Sequence, residues 1–208
     1  MNSSKLFWVS ILFTLISGCS NMASITSIDS LNLKPSKPHT PDNLCGIYAQ
    51  FEDWQQSAAA SEQKWQIDQS ISMAFIHHES GYSSTARPPR RRVFGIIPGR
   101  HLSTAYGYPQ AINGTWALYK KSTGYTLAKR TNFNDAVDFV GWYNARSVRI
   151  NDIASNDAYR LYLAYHEGNA GYARESFLAK PWLLDVAKNV AHQAKRYKNQ
   201  LKLCLPQT

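Results

Sequence analysis

A chain of 208 residues, 44% of them apolar, has room for one domain of ordinary size plus an appendage and enough apolar side chain for a core, which excludes a disordered chain. Its 23 Lys and Arg against 14 Asp and Glu leave a net charge of +9, with an isoelectric point near 9.5. That balance fits a polyanionic neighbour, whether nucleic acid, anionic lipid or an anionic wall polymer, and charge alone does not choose among them.

The leader begins to choose. Lys5 precedes a mostly apolar run from Leu6 to Ile16, too short to span a membrane comfortably, and Ser17 and Gly18 lead into Cys19. Residues 1–18 read as a secretory signal peptide. Leu15-Ile16-Ser17-Gly18-Cys19 resembles the lipobox of bacterial lipoproteins, which implies that Cys19 is lipidated and becomes the mature N-terminus. Ser20 rather than Asp follows it, and in Gram-negative lipoproteins this implies the periplasmic face of the outer membrane. Membrane contact then runs through the N-terminal lipid, and export argues against a nucleic-acid partner. Residues 19–40, rich in Ser, Thr, Asn, Lys and Pro, form a lipid-anchored linker spanning very roughly 25 to 30 Å.

The domain proper occupies residues 41–208. With Cys19 assigned to lipid, Cys45 and Cys204 bracket it and are expected to pair in an oxidising compartment; two buried free thiols are the alternative. Thr40-Pro41 reads as a cap and first helical residue, with Leu44, Ile47, Tyr48 and Phe51 on one stripe. A second helix is predicted over Trp54 to Trp65. Asp68 caps a third, Gln69 to His78, whose Ile71, Met73, Ala74, Phe75 and Ile76 leave almost no polar face. A helix apolar all round is a buried helix, and this one ends on Glu79, Ser80 and the helix-stopping Gly81. A carboxyl delivered there by a packed core suits general acid chemistry. The plainer reading is a core helix whose Glu79 caps or pairs with an arginine.

From Ser83 to Ala105 the prolines, glycines and five arginines (Arg87, Arg90, Arg91, Arg92 and Arg100) predict a loop or irregular hairpin. It is either a solvated basic surface or a holder of carboxylates on an anionic polymer. Ala105 to Gln110 is a tight aromatic and glycine turn. Asn113 then caps a helix ending near Gly124, another runs from about Asn134 to Asn144, and Asp157 opens one carrying Ala158, Leu161, Tyr162 and Tyr165. Lys180-Pro181-Trp182 starts a last long helix to about Leu203, basic on its outer face. With no sustained strand alternation, the fold class is mainly α, a compact helical domain with at most a small β-hairpin.

His77, His78, Glu79, His166 and Glu167 are the available metal ligands, but adjacent helical histidines point about 100° apart and the HExxH spacing is absent. No metal site or cofactor is expected, and neither a serine-hydrolase elbow nor a phosphate-binding loop is present. A lone Glu on a buried helix fits glycosidic bond cleavage instead, since partial burial keeps the acid protonated. Tyr82, Tyr106, Tyr108 and Tyr165 are candidate platforms for sugar rings, with Gln110 as hydrogen-bonding partner.

Three motifs in order carry a family resemblance: Glu79-Ser80, Gly107-Tyr108-Pro109-Gln110, and Ala164-Tyr165-His166-Glu167-Gly168. They resemble the Glu-Ser pair, Gly-Leu-Met-Gln turn and Ala-Tyr-Asn-x-Gly segment of the lysozyme-like lytic transglycosylases of the soluble (SLT) type, across roughly Trp54 to Tyr197. The resemblance implies a lysozyme-like fold and, as partner, the glycan strands of peptidoglycan; it says nothing of protein partners. It implies that Glu79 is sole acid and base, leaving a 1,6-anhydro product. Ser80, Tyr106, Gly107, Tyr108, Gln110, Tyr165, His166 and Glu167 then bind or position substrate. Tyr108-Pro109 and His166-Glu167 depart from the family pattern, and Glu167 as a second carboxylate would give hydrolysis. A non-catalytic, peptidoglycan-binding envelope lipoprotein is the other alternative.

Overall fold

The computed structural model describes residues 36–93 and 97–204. The signal peptide, the lipid-attachment cysteine Cys19 and the linker through residue 35 lie outside the described residues. Among those that are described, no helix is long and apolar enough to cross a membrane. Packing onto the domain has begun by Pro38, which is buried, and the His39 N–H donates to Gln50 Oε1 at 3.1 Å.

Eight α-helices follow in order among the described residues: α1 Leu44–Gln50, α2 Glu52–Trp65, α3 Gln69–Ser80, α4 Asn113–Thr123, α5 Phe133–Asn151, α6 Ala158–Glu167, α7 Asn169–Ala173 and α8 Pro181–Cys204. The mainly helical, lysozyme-like domain expected from the sequence is what the chain forms. One antiparallel hairpin, β1 Arg90–Val93 with β2 Ile97–His101, lies between α3 and α4. Its register runs Arg90 to His101 and Arg92 to Pro98, with an irregularity between Arg90 and Arg92, as Pro98 and Gly99 in a four- to five-residue ladder would produce.

Caps explain where the helices begin, and two differ from expectation. Asn43, not Thr40, caps α1, accepting from the Gly46 N–H, while Thr40 O accepts from the Asn43 N–H in a preceding turn. Asn113 is the first residue of α4 rather than its cap, and its side chain instead accepts from Arg130. Asp68 and Asp157 cap α3 and α6 as the sequence indicates. Helix α5 runs seven residues past Asn144, to Asn151, because Ala145 and Ser147 continue its buried face.

The layers are helix on helix: α3 packs against α8, α2 and α5, and α6 against α8 and α5. Helices α2 and α5 approach closely at Gly141, where a Cβ would stand 2.5 Å from Ser61 Oγ and 2.8 Å from a Trp65 ring carbon. Trp54 is buried and stacks on Phe51 at 4.2 Å and on Phe133 at 4.0 Å, joining the start of α2 to the start of α5. Cys45 and Cys204 form a disulfide that ties α1 to the end of α8. Lys188, Lys195, Arg196, Lys198 and Lys202 are all exposed along α8.

Candidate active site

Helix α3 delivers its acid through burial and a defined stop. Asp68 caps it by accepting from the Ser70 N–H at 2.9 Å, and every residue from Gln69 to Ile76 is buried. Gly81 ends it in the left-handed conformation, φ +55°, its N–H donating to His77 O at 2.8 Å. Glu79 is therefore held in the last turn, only partly open to solvent. Burial pushes its carboxyl up to about 7, against a hydrogen bond from Tyr162 that acts in the opposite direction. The helix's own C-terminal carbonyls also disfavour a negative charge there.

Glu79 looks into a cleft of about 600 Å³. Gln110 comes from the turn before α4, Phe139 and Tyr143 from α5, and Tyr165, His166 and Glu167 from the end of α6. Larger and comparable hollows elsewhere hold no carboxyl of this kind: one beside Lys64 and Asp138 is built around a structural network in which Asp138 accepts from Lys64, Trp65 and Tyr119.

Tyr162 is the group that sequence reading missed. Its hydroxyl donates to Glu79 Oε1 at 2.9 Å, while Oε2 makes no hydrogen bond among the described residues. Burial, and then the neighbouring Glu79, keep the phenol well above its ordinary range, so it serves only as a neutral donor. The signal was present: Tyr162 stands one helical turn before Tyr165, so both face the same side of α6. Tyr165 itself donates to Pro109 O at 2.6 Å and packs edge-on against Phe75 and Tyr143. It clamps the Gly107–Gln110 turn onto α6.

That turn is tightly built. Gln110 sits at φ +47°, and its Nε2 donates to Ala86 O and Gly107 O at 2.9 and 2.8 Å, leaving Oε1 as the amide atom without a partner among the described residues. Gly107 has φ +74°, and a Cβ on it would lie 2.2 Å from Arg130 O. Gly107→Ala is expected to cost about 2 to 3 kcal/mol in urea unfolding, because conformation and close approach both forbid the methyl.

Glu167 is committed elsewhere. Burial would raise its pKa, but hydrogen bonds from Lys180, Ser176 and His166, with the Lys180 charge, hold it down at about 2. Oε1 takes Lys180 Nζ at 2.7 Å and pairs with His166 Nδ1 at 3.0 Å; Oε2 takes the Ser176 hydroxyl.

Four of the expected binding residues stand outside the cleft lining. Ser80 turns its hydroxyl back to Ile76 O at 3.0 Å. Tyr106 lies under Arg87, whose guanidinium carbon is 4.1 Å from the ring centre. Gly107 acts through its backbone. Tyr108 belongs to the core, packed edge-on to Trp54 and Phe133, because the tight turn sends it inward. Tyr82 is likewise fully buried, its hydroxyl bonded to Met73 O and Tyr197, so neither offers a sugar a free face. His77 stacks on Tyr82 and meets the Tyr197 hydroxyl, away from the cleft. Among the described residues, no group of three or more His, Cys, Asp or Glu is arranged to hold a metal ion.

The model of one known family, described as Transglycosylase SLT domain, matches residues 7–204. No curated protein and no solved structure matches the chain.

Proposed function

Since the chain belongs to the transglycosylase SLT domain family, whose members are peptidoglycan lytic transglycosylases, we propose that it cleaves the β-1,4 bond between N-acetylmuramic acid and N-acetylglucosamine with Glu79 as the only acid and base. The observation that carries this reading is one carboxyl, raised to about 7 in the cleft, with no second carboxylate among the described residues free to work beside it.

The protonated Glu79 gives its proton to the glycosidic oxygen as the bond to the muramyl anomeric carbon breaks. The resulting carboxylate then takes the proton of the muramyl C6 hydroxyl, whose oxygen closes on the anomeric carbon. Glu79 ends protonated as it began, no water is consumed, and the product carries a 1,6-anhydro end. Tyr162 supports both steps: donating to Oε1, it leaves Oε2 to carry the proton. Gln110 offers its free amide oxygen to substrate, and Tyr165 holds Gln110's turn in place. The hydrolytic reading needs Glu167 as a base, but its low pKa and three partners make it a poor one.

Arg87, Arg90 and Arg100 are exposed around the hairpin and pair with no carboxylate among the described residues. In this reading they receive the carboxylates of the wall's stem peptides. The anchor completes the proposal: lipid on Cys19 holds the domain at the periplasmic face of the outer membrane, with the linker before Pro38 as its reach toward the wall.

Digestion of purified sacculi with the full chain, followed by mass analysis, tests the reaction. The expected fragments end in anhydro-muramic acid, each lighter by one water than a hydrolysis product. Reducing ends would instead support a muramidase, and cosedimentation with sacculi without any product would support a binding lipoprotein.

Tyr162→Phe gives a pH test. The hydrogen bond it removes lowers the Glu79 pKa, so its loss moves that pKa above about 7. The acid must be protonated to donate, so the alkaline limb of the rate profile shifts to higher pH while the maximal rate falls. An unshifted limb would show that the Glu79 titration does not govern the rate.

A further inference from the structure

An aromatic ring stands just beyond the cleft lining, against His166. That imidazole lines it, and 5.3 Å away, at an interplanar angle of 79°, lies the ring of Trp182 in the first turn of α8. Trp182 is 55% exposed, whereas Trp54, Trp116 and Trp142 are at most 7% exposed. Leu178, just before α8, is 60% exposed. Lys180, between them, is pinned to Glu167 by its 2.7 Å ion pair, so the start of α8 is tied directly to the cleft wall. The indole is thus held on a rigid element beside the cleft wall, with an apolar surface open to water.

We propose that Trp182 is an outer sugar subsite, taking the apolar face of a pyranose ring of the same glycan strand whose reacting bond lies at Glu79. Pyranose rings present axial C–H groups on their faces, and a flat indole is the surface those groups pack against. His166, between cleft and indole, makes the path continuous. This rests on the wall-glycan reading and adds to it a dependence on chain length: a short fragment filling only the Glu79 region never reaches Trp182, and a longer one does.

The test uses the full chain carrying Glu79→Gln, so that ligand is bound without turnover, and wall glycan oligomers of two, four and six sugars without stem peptides. Titration calorimetry compares Trp182 with Trp182→Ala and Trp182→Phe, thermal melting showing that each is folded. The expected result is about a tenfold weaker Kd for the six-sugar oligomer in Trp182→Ala, an unchanged Kd for the disaccharide, and substantial recovery in Trp182→Phe. Equal affinity at every length, or an equal loss at every length, overturns the subsite. If the Trp182 form binds no oligomer and the wild-type chain releases no fragment from sacculi, the wall-glycan reading falls, and the subsite with it. Fragment release without length-dependent loss overturns the subsite alone.

Discussion

Replacing Glu79 by glutamine is expected to reduce release of anhydro-ended fragments from sacculi by roughly a thousandfold or more, since one group performs both proton transfers. Glutamine keeps the shape and still accepts from the Tyr162 hydroxyl, but has no proton to give at neutral pH and cannot become the base of the second step. Folding moves the other way. The native carboxyl titrates near 7 against an ordinary value of 4.5. Between those values the unfolded chain has released a proton that the folded chain still holds, so native stability falls as pH rises through this window. The loss is on the order of 3 kcal/mol and complete above pH 7 or so. Glu79→Gln removes it, and should therefore unfold at higher urea than wild type at pH 8 and lose that advantage at pH 4. A variant that is inactive yet more stable at high pH is the signature of an acid kept against the interests of the fold. A variant that is inactive and less stable at pH 8 would instead assign Glu79 a structural role.

Loss of the disulfide should produce the largest change in stability. Cys45 and Cys204 are 159 residues apart in sequence, and a loop of that length, once closed, removes so much freedom from the unfolded chain that the bond contributes about 5 kcal/mol in the chain-entropy model. For a domain of this size that corresponds to a fall in Tm of roughly 10 to 20 °C. The Cys45→Ser, Cys204→Ser double variant, and wild type in reductant, should melt alike and well below the oxidised protein. The consequence extends to the site: α8 packs on α3 and α6 along its length, and these two helices carry Glu79 and Tyr162. Weakening the clasp at the ends of α1 and α8 is expected to lower activity on heating before it lowers activity at 25 °C. A double variant that melts with the oxidised protein would show that helix packing alone holds the two ends together.

Much of this was legible in the residues themselves. The apolar run Ile71–Ile76 predicted a buried helix, and Gly81 after Glu79 predicted where it stops; both follow from local rules of burial and backbone conformation. Asp68 and Asp157 announced their helices because a short side-chain acceptor has only its own chain's first amides to satisfy. Local signals also misled. Thr40-Pro41 and Asn113 looked like caps, but Asn43 was better placed to accept from α1, and Arg130, brought close only by folding, claimed the Asn113 side chain.

The division at the site is sharper. By itself the sequence determined that there is one acid on a greasy helix, a tight aromatic and glycine turn, and a tyrosine-rich segment downstream, because each is written in a few consecutive residues; that Gly107 tolerates no side chain was decided by the approach of Arg130 O. Only the tertiary structure decided which aromatics face the cleft. Tyr82 and Tyr108 turned inward and Tyr162 turned toward Glu79, since the direction of a side chain depends on helices distant in sequence. It also decided between the two glutamates. Both stand near the end of a helix, yet Glu79 has one neutral donor and a wall of apolar side chains, while Glu167 has a lysine, a serine and a histidine. Desolvation raises the first and charge pairing lowers the second, and neither environment exists until α3, α6 and α8 have packed.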